Sequence, residues 1–320
     1  MIRLSIIIPF YNVEQYITQC LDSVYNQDIP EEEYEVICVN DASPDNSRDI
    51  VKEYQKNHKN LILVEHEVNK KLGAARNTGR RAAQGKYIWN VDSDDMIAPN
   101  CLREMLNMCE KSDLDVLIFD NYRFRDVILV ENNEHWDAEM TVCSGVEFWQ
   151  QQGIRKQSKI SQVWTQVYKR SYMNEYQIYS PEINMSEDIP YAYASILLGQ
   201  RVMAIDKPYY VYRDNNASLS RELISAPTPN MVYENCFVCT KCIDDICKRI
   251  PKSEQKVLDS VHMIERYMVL SLWKYVEKMS AEAEKELKSK IRKNIWQNRF
   301  VWKVLNYKQR HTYLKWLFIK

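Results

Sequence analysis

Short apolar runs alternate with longer stretches of helical period through the first third of the chain, the pattern of a parallel sheet with crossover helices. Ser5–Ile8 and Tyr34–Val39 read as the first two strands. Between them Tyr16, Ile17, Cys20, Leu21 and Val24 recur at steps of three and four residues, and Asn12 with Gln15 has capping-box spacing, which predicts a helix starting at Asn12. The same periods predict helices near Ser47–Lys56, Gly73–Gln84 and Asn100–Glu110, and strands Leu61–Glu65, Lys86–Val91 and Leu114–Phe119. Tyr122–Val142 is irregular; helical period returns at Val146–Gln152 and Asp188–Leu198, and a strand pair, Val202–Ile205 and Tyr209–Tyr212, is expected to close the sheet. Beyond Ser225, Pro227 and Pro229 mark a boundary, after which the period is helical. The expected fold is α/β, a mostly parallel central sheet flanked by helices over 1–225, with a helical C-terminal region over 226–320.

Composition agrees with a globular chain: 320 residues, 45% hydrophobic and 27% charged, exclude wholesale disorder. Net charge is -1, but Lys288–Lys320 holds ten Lys or Arg and no Asp or Glu, leaving about -11 on the rest. Nine Cys without framework spacing, and no charged-then-apolar leader, point to a reducing cytoplasm. The longest uncharged runs, Leu4–Val13 and Ile189–Gln200, fall short of the ~20 apolar residues of a membrane-crossing helix. Any membrane contact is therefore expected to be peripheral, on an inner membrane face.

Candidate chemistry gathers where the strands end. Pro9-Phe10-Tyr11-Asn12, Asn40-Asp41-Ala42-Ser43 and Asp92-Ser93-Asp94-Asp95 are polar turns after successive strands, and ligands of open α/β sheets bind outside the carboxyl ends of strands. Carboxylates two residues apart, Asp92 and Asp94, suit a hard divalent cation with oxygen ligands. The alternative is an Asp-rich solvated turn that caps the next helix, since 44 acidic residues produce such a triplet by chance several times. Alignment with two other turns favours a site.

Four segments then resemble, in order and spacing, the motifs of the family 2 inverting glycosyltransferases of GT-A fold: Ser5–Asn12, Val39–Ser43, Gly73-Ala74-Ala75-Arg76-Asn77 followed by Gly79, and Val91–Asp95. The resemblance covers roughly residues 3–220. It implies a donor half of about 1–120 and an acceptor half of about 121–225. It implies that Pro9, Phe10, Tyr11, Asn12 and Asp41 hold the nucleotide, with Tyr11 against the base and Asp41 accepting the uracil imide proton. Arg76 would reach the diphosphate, Gly73 would allow close approach, Asp92 with Ser93 would contact ribose or metal, and Asp94 would ligate Mn²⁺ or Mg²⁺. Packing and capping remain the alternatives for Tyr11 and Asp41, a surface charge for Arg76, and a helix cap for Asp95.

The family places its base in a Glu-Asp pair, matched by Ser186-Glu187-Asp188-Ile189-Pro190. Asp188 is thereby the general base and Glu187 an acceptor-positioning neighbour; Pro190 in the first turn puts Asp188 at a helix start, where it can instead be a cap. Val163–Arg170 resembles an acceptor-side segment in which Trp164 offers a face to a sugar ring, with a core Trp as the alternative. Tyr212–Ser220 is similar to a loop whose Arg213 closes over the diphosphate, and Tyr210 and Tyr212 stand where some relatives supply a His ligand.

Together these imply transfer of a hexose or N-acetylhexosamine from a nucleotide-diphosphate sugar, UDP-linked above all, to a hydroxyl of a glycan or lipid-linked glycan acceptor in polysaccharide assembly. The rivals are a nucleotidyltransferase, disfavoured because no Gly-rich loop follows the first strand, and a non-catalytic glycan- or membrane-binding protein, disfavoured by the presence of Asp41, Asp94 and Asp188 together. Cys236, Cys239 and Cys242 at steps of three read as a helix core rather than a metal or cluster site. The tail interleaves Trp296, Phe300, Trp302, Tyr313 and Trp316 with basic residues, the composition of a helix on an anionic membrane surface, against a packed helix with a basic face; no nucleic acid is expected.

Overall fold

Seven consecutive buried residues, Leu4–Phe10 (β1), lie between β2 (Tyr34–Asn40) and β4 (Tyr87–Asn90), parallel to both. The computed structural model describes residues 1–125, 128–131, 136, 141–153, 155–183, 186–214 and 225–318. They form two compact units, one of Met1–Glu182 with Tyr191–Asp214, the other of Ile183–Pro190 with Asn215–Lys320. The first unit holds a nine-stranded sheet of order β3-β2-β1-β4-β8-β6-β9-β5, with β7 beside β6. Besides β1, β2 and β4 it contains β3 (Leu61–Glu65), β5 (Met96–Ile97), β6 (Val116–Arg125), β7 (Ile128–Glu131), β8 (Gln166–Lys169) and β9 (Val202–Arg213). Among the described residues β1 to β4, β6 and β9 run one way and β5, β7 and β8 the other, so the sheet is mostly parallel as expected.

Helices α1 (Ile17–Tyr25), α2 (Ser47–Asn57), α3 (Lys71–Ala82) and α4 (Leu102–Lys111) connect the first strands. Three of their positions follow from periodicity; α1 is the exception. It starts at Ile17, not Asn12, and among the described residues no side chain caps it. Asn12 is instead left-handed, with φ 57, and the N–H groups that a helix start would leave open are bonded elsewhere. Those of Asn12, Val13 and Glu14 donate to Ser43 Oγ (2.7 Å), Ser47 Oγ (3.1 Å) and Asp45 Oδ2 (2.8 Å). The turn after β2 thus takes over the bonding that the capping box was expected to provide.

The sheet also departs from the sequence pattern past Phe119. β6 continues to Arg125 and pairs with β7 where irregular chain was expected, and the expected pair of closing strands is one strand, β9. Register shifts around Asp120 let β9 stay paired with β6 through the polar Asp206-Lys207-Pro208 stretch that splits its apolar pattern. The two-residue β5 and the antiparallel β8 carry too few residues for a period to show.

In the second unit, helices Pro229–Tyr233, Cys239–Cys247, Gln255–Leu270, Ala281–Lys293 and Tyr307–Phe318 enclose a core that includes Phe237, Leu272, Leu287, Ile291, Phe300, Tyr313 and Leu317. Cys236 and Cys239 are fully buried, as the helix-core reading expects, while Cys242 is only partly buried. Much of the tail's apolar face is spent on the same core. Trp302 and Trp316 pack against it, and Trp316 Nε1 donates to Glu284 (2.7 Å), while Trp296, Tyr307 and Phe318 stay exposed. Among the described residues no helix is long and apolar enough to cross a membrane.

Candidate functional site

The chain steps from β1 to β2 on one side and later fills β4 on the other, so the order reverses at β1. Pairing of β1 with β4 ends at Ile7 and Asn90, while pairing with β2 continues to Phe10 and Asn40. Pro9, which has no N–H to give a ladder, therefore sits where β1 keeps a neighbour on one side. Residues after the carboxyl ends of β1, β2 and β4 leave the sheet at this reversal, the position at which open α/β sheets bind ligands. Phe10 is buried beneath the turn, and Tyr11 is 47% exposed above it.

Asp41, just after β2, is nearly fully buried, and its carboxylate gathers the loop that leads into α3. Oδ1 accepts from Lys70 N–H (2.8 Å) and lies 2.7 Å from His66 Nδ1; Oδ2 accepts from Lys71 N–H (2.8 Å). The loop needs this anchor because Lys71 has φ 76, a left-handed conformation costly for a side-chain-bearing residue. Three partners occupy three of the roughly four lone-pair positions of a carboxylate, and Oδ2 retains capacity for another donor. His66 was not foreseen; its other ring nitrogen lies 2.9 Å from Thr78 Oγ1. Gly73, expected to admit a ligand, is used by the protein itself: a Cβ there would lie 2.1 Å from the Pro181 carbonyl oxygen.

Arg76, in the second turn of α3, is 3% exposed and donates to Asp92 Oδ1 (2.9 Å), which rules out the surface-charge alternative. Beside it the Asp92–Asp95 turn is tied to β9. The Asp92 N–H donates to Tyr210 Oη (3.1 Å), and that hydroxyl donates to Asp95 Oδ2 (2.7 Å). Asp95 Oδ1 accepts from the Arg213 N–H (2.7 Å), while Arg213 Nε donates to the Asp94 carbonyl (2.8 Å). Asp95 is therefore no helix cap; it is the buried post to which β9 is fastened. Burial first, then the charges of Asp94 and Asp92, push its carboxyl well above the usual range. Burial likewise raises the Tyr210 phenol, keeping it a donor. Asp92 and Asp94 are half-buried, and Ser93 is buried between them.

Trp164 is corrected from sugar platform to core residue. It is 8% exposed, stacks with Tyr210 (4.5 Å) and Tyr212 (5.4 Å), and its carbonyl accepts from Trp89 Nε1 (2.7 Å). The loop expected to follow Arg213 lies outside the described residues from 215 to 224.

Glu187 and Asp188 belong to the second unit. Asp188 opens the helix Asp188–Leu197 as expected from Pro190, and Glu187 is buried. Ser186, with φ 62, donates its hydroxyl to Asn235 Oδ1 (2.5 Å), and its carbonyl accepts from the Cys239 thiol (3.4 Å). Burial, with Cys242, Asp188 and Glu187 nearby, holds that thiol well above its usual range. The cysteine helix thus fixes the turn that carries the acidic pair.

Residues 5–175 match the family model described as glycosyl transferase family 2. The chain is 30% identical over 217 residues to the uncharacterized glycosyltransferase EpsJ of Bacillus subtilis, a match covering 68% of this chain and 62% of EpsJ. It is also 30% identical over 216 residues to the poly(ribitol-phosphate) beta-N-acetylglucosaminyltransferase TarS of Staphylococcus aureus, covering 66% of this chain and 35% of TarS. The chain thus spans less than two thirds of these relatives. Among solved structures, TarS 1-349 with UDP-GlcNAc superposes with a TM-score of 0.68 at 21% identity, covering 93% of this chain and 82% of that one. The mannosyltransferase PcManGT of Pyrobaculum calidifontis, with GDP-Man and Mn²⁺, gives 0.57 at 17% identity, covering 99% and 88%. The fold is GT-A, and the chain belongs to glycosyl transferase family 2.

Proposed function

We propose that the chain transfers a sugar from a nucleotide-diphosphate donor, UDP-linked above all, to a hydroxyl of a glycan or lipid-linked glycan acceptor, with inversion at the anomeric carbon. The observation that supports this is that Asp41 follows β2 and Asp92 and Asp94 follow β4, on either side of β1 where the strand order reverses, with Arg76 bonded to Asp92. The donors bound by TarS and PcManGT in their structures support a nucleotide sugar, and the TarS name supports a polyol-phosphate or glycan polymer as acceptor.

The all-oxygen donor set of Asp92 and Asp94, half-buried carboxylates two residues apart in one turn, fits Mn²⁺ or Mg²⁺. When bound there, the ion would neutralise charge on the leaving diphosphate. Asp41 and Tyr11 serve the base, the first by its remaining acceptor position and the second by its exposed ring. Arg76 orients Asp92 and adds positive charge for the phosphates. Asp188 takes the proton of the acceptor hydroxyl as its oxygen bonds to the anomeric carbon; the bond from that carbon to phosphate oxygen breaks, and the nucleoside diphosphate leaves with the electron pair. Glu187 positions the acceptor. The tail's expected contact with an anionic membrane surface rests on Trp296, Tyr307 and Phe318, which remain exposed beside basic residues.

Incubation with UDP-, GDP- and dTDP-sugars, Mn²⁺ and glycan acceptors tests the reading. Release of the nucleoside diphosphate with acceptor-dependent product is expected, and Asp188→Asn should keep donor binding but lose transfer. Pyrophosphate release would indicate a nucleotidyltransferase, and undiminished transfer by Asp188→Asn would remove the base assignment.

A further inference from the structure

We propose that Cys247, His262 and Glu265 form a zinc-binding site within the helical unit, with a thiolate, an imidazole and a carboxylate as ligands. His262 and Glu265 stand three apart on the helix Gln255–Leu270, a spacing that puts both on one face. Cys247 is the last residue of the helix Cys239–Cys247. One ligand atom from each of the three lies within 4.8 Å of the others. This trio is distinct from the cysteines at 236, 239 and 242, which continue the apolar stripe of their own segment.

A second observation points to a ligand. Glu265 is fully buried, its Oε2 lies 2.6 Å from His262 Nδ1, and among the described residues its Oε1 has no hydrogen-bond partner. A buried carboxylate oxygen left without a donor is rare and costly in folded proteins. Two neighbouring lysines are engaged elsewhere: Lys248 and Lys303 pair with the buried Asp244, at 2.8 and 3.4 Å. A cation between Glu265, His262 and Cys247 would supply the missing partner.

The chemistry selects zinc. Sulfur, nitrogen and oxygen ligands together suit Zn²⁺ and not the oxygen-seeking Mg²⁺ or Mn²⁺. Bond lengths of about 2.0–2.3 Å in a tetrahedron put ligand atoms roughly 3.5 Å apart, so the His262–Glu265 contact at 2.6 Å would open to admit the ion, within a trio already held to 4.8 Å. On binding, the Cys247 thiol gives its proton to solvent. Thiolate and carboxylate then cancel the two positive charges of the ion, and the neutral imidazole adds none, which is the balance a buried site requires. His262 is partly exposed and marks the entry side, with the fourth position left to water. The ion would clamp the end of one helix to the middle of the next.

The test uses the full chain, stripped with chelator and titrated with Zn²⁺ alone. About one zinc per chain should bind with release of a proton, and Co²⁺ in its place should give thiolate-to-metal charge-transfer absorption in the near ultraviolet. Cys247→Ser should abolish that absorption, whereas Cys242→Ser should retain it. Should Cys247→Ser fail to fold, His262→Ala at the partly exposed position serves, and it should weaken zinc by more than the roughly 10–100-fold typical of losing an outer-shell partner. Absence of zinc in the parent chain, a charge-transfer band that survives Cys247→Ser, or unchanged affinity in His262→Ala would each overturn the site.

Discussion

Removing the Asp41 carboxylate tests whether the loop into α3 hangs on one side chain. In Asp41→Ala the N–H groups of Lys70 and Lys71 and the His66 ring lose partners now at 2.7 to 2.8 Å. A net hydrogen bond contributes about 1 kcal/mol, and a charged acceptor more, so the three together predict a loss of about 3 kcal/mol. Asp41→Asn keeps a single carbonyl acceptor while turning its amide toward an existing donor, and should lose about 1–2 kcal/mol. Urea unfolding followed by tryptophan fluorescence gives the global figure, and amide exchange at Lys70 and Lys71 gives the local one. The left-handed Lys71 should lose protection first. If both amides exchange in Asp41→Ala as slowly as in the parent, the anchor argument is refuted.

Asp95 carries a pH signature. Its carboxyl is held above the ordinary 3.8, so the folded state binds its proton more tightly than the unfolded chain, and this contribution to stability, full at low pH, is lost as pH rises from about 3.8 through the folded pKa. Asp95→Asn should therefore gain stability relative to the parent as pH increases, read from denaturation at pH 5 and pH 8; a constant difference would contradict the burial argument. Arg76→Lys gives up the planar bond to Asp92, and with charged hydrogen bonds at about 1.5–3 kcal/mol the affinity for UDP with Mn²⁺ should fall roughly tenfold or more by calorimetry, an unchanged value placing Arg76 outside the donor site. For the tail, Trp296→Ala with Tyr307→Ala should reduce co-sedimentation with anionic vesicles; equal sedimentation would leave the basic face without a membrane role.

The three polar turns were legible because each interrupts an apolar strand with Pro, Asn or Asp, a local signal that needs no partner. The function of Asp95 was not, since its partners Tyr210 and Arg213 lie 115 and 118 residues away and reach it through a strand of two residues. Asn12 failed for a related reason: the donors near it are met by side chains from residues 43 to 47, which outcompete a local cap. Trp164 and the tail share another ambiguity. An apolar face has the same period whether it meets sugar, lipid or protein, and here Tyr210 and the helical core took most of those faces.

The fastening of Asp95 to β9 sets an order of assembly. The family match ends at residue 175, before β9 begins at Val202. A chain emerging during synthesis, or a fragment cut at that limit, holds all three aspartates of the acidic turn yet lacks the phenol and the amide that shape them. If the turn holds a cation as proposed, that competence should appear late, when β9 is laid in place.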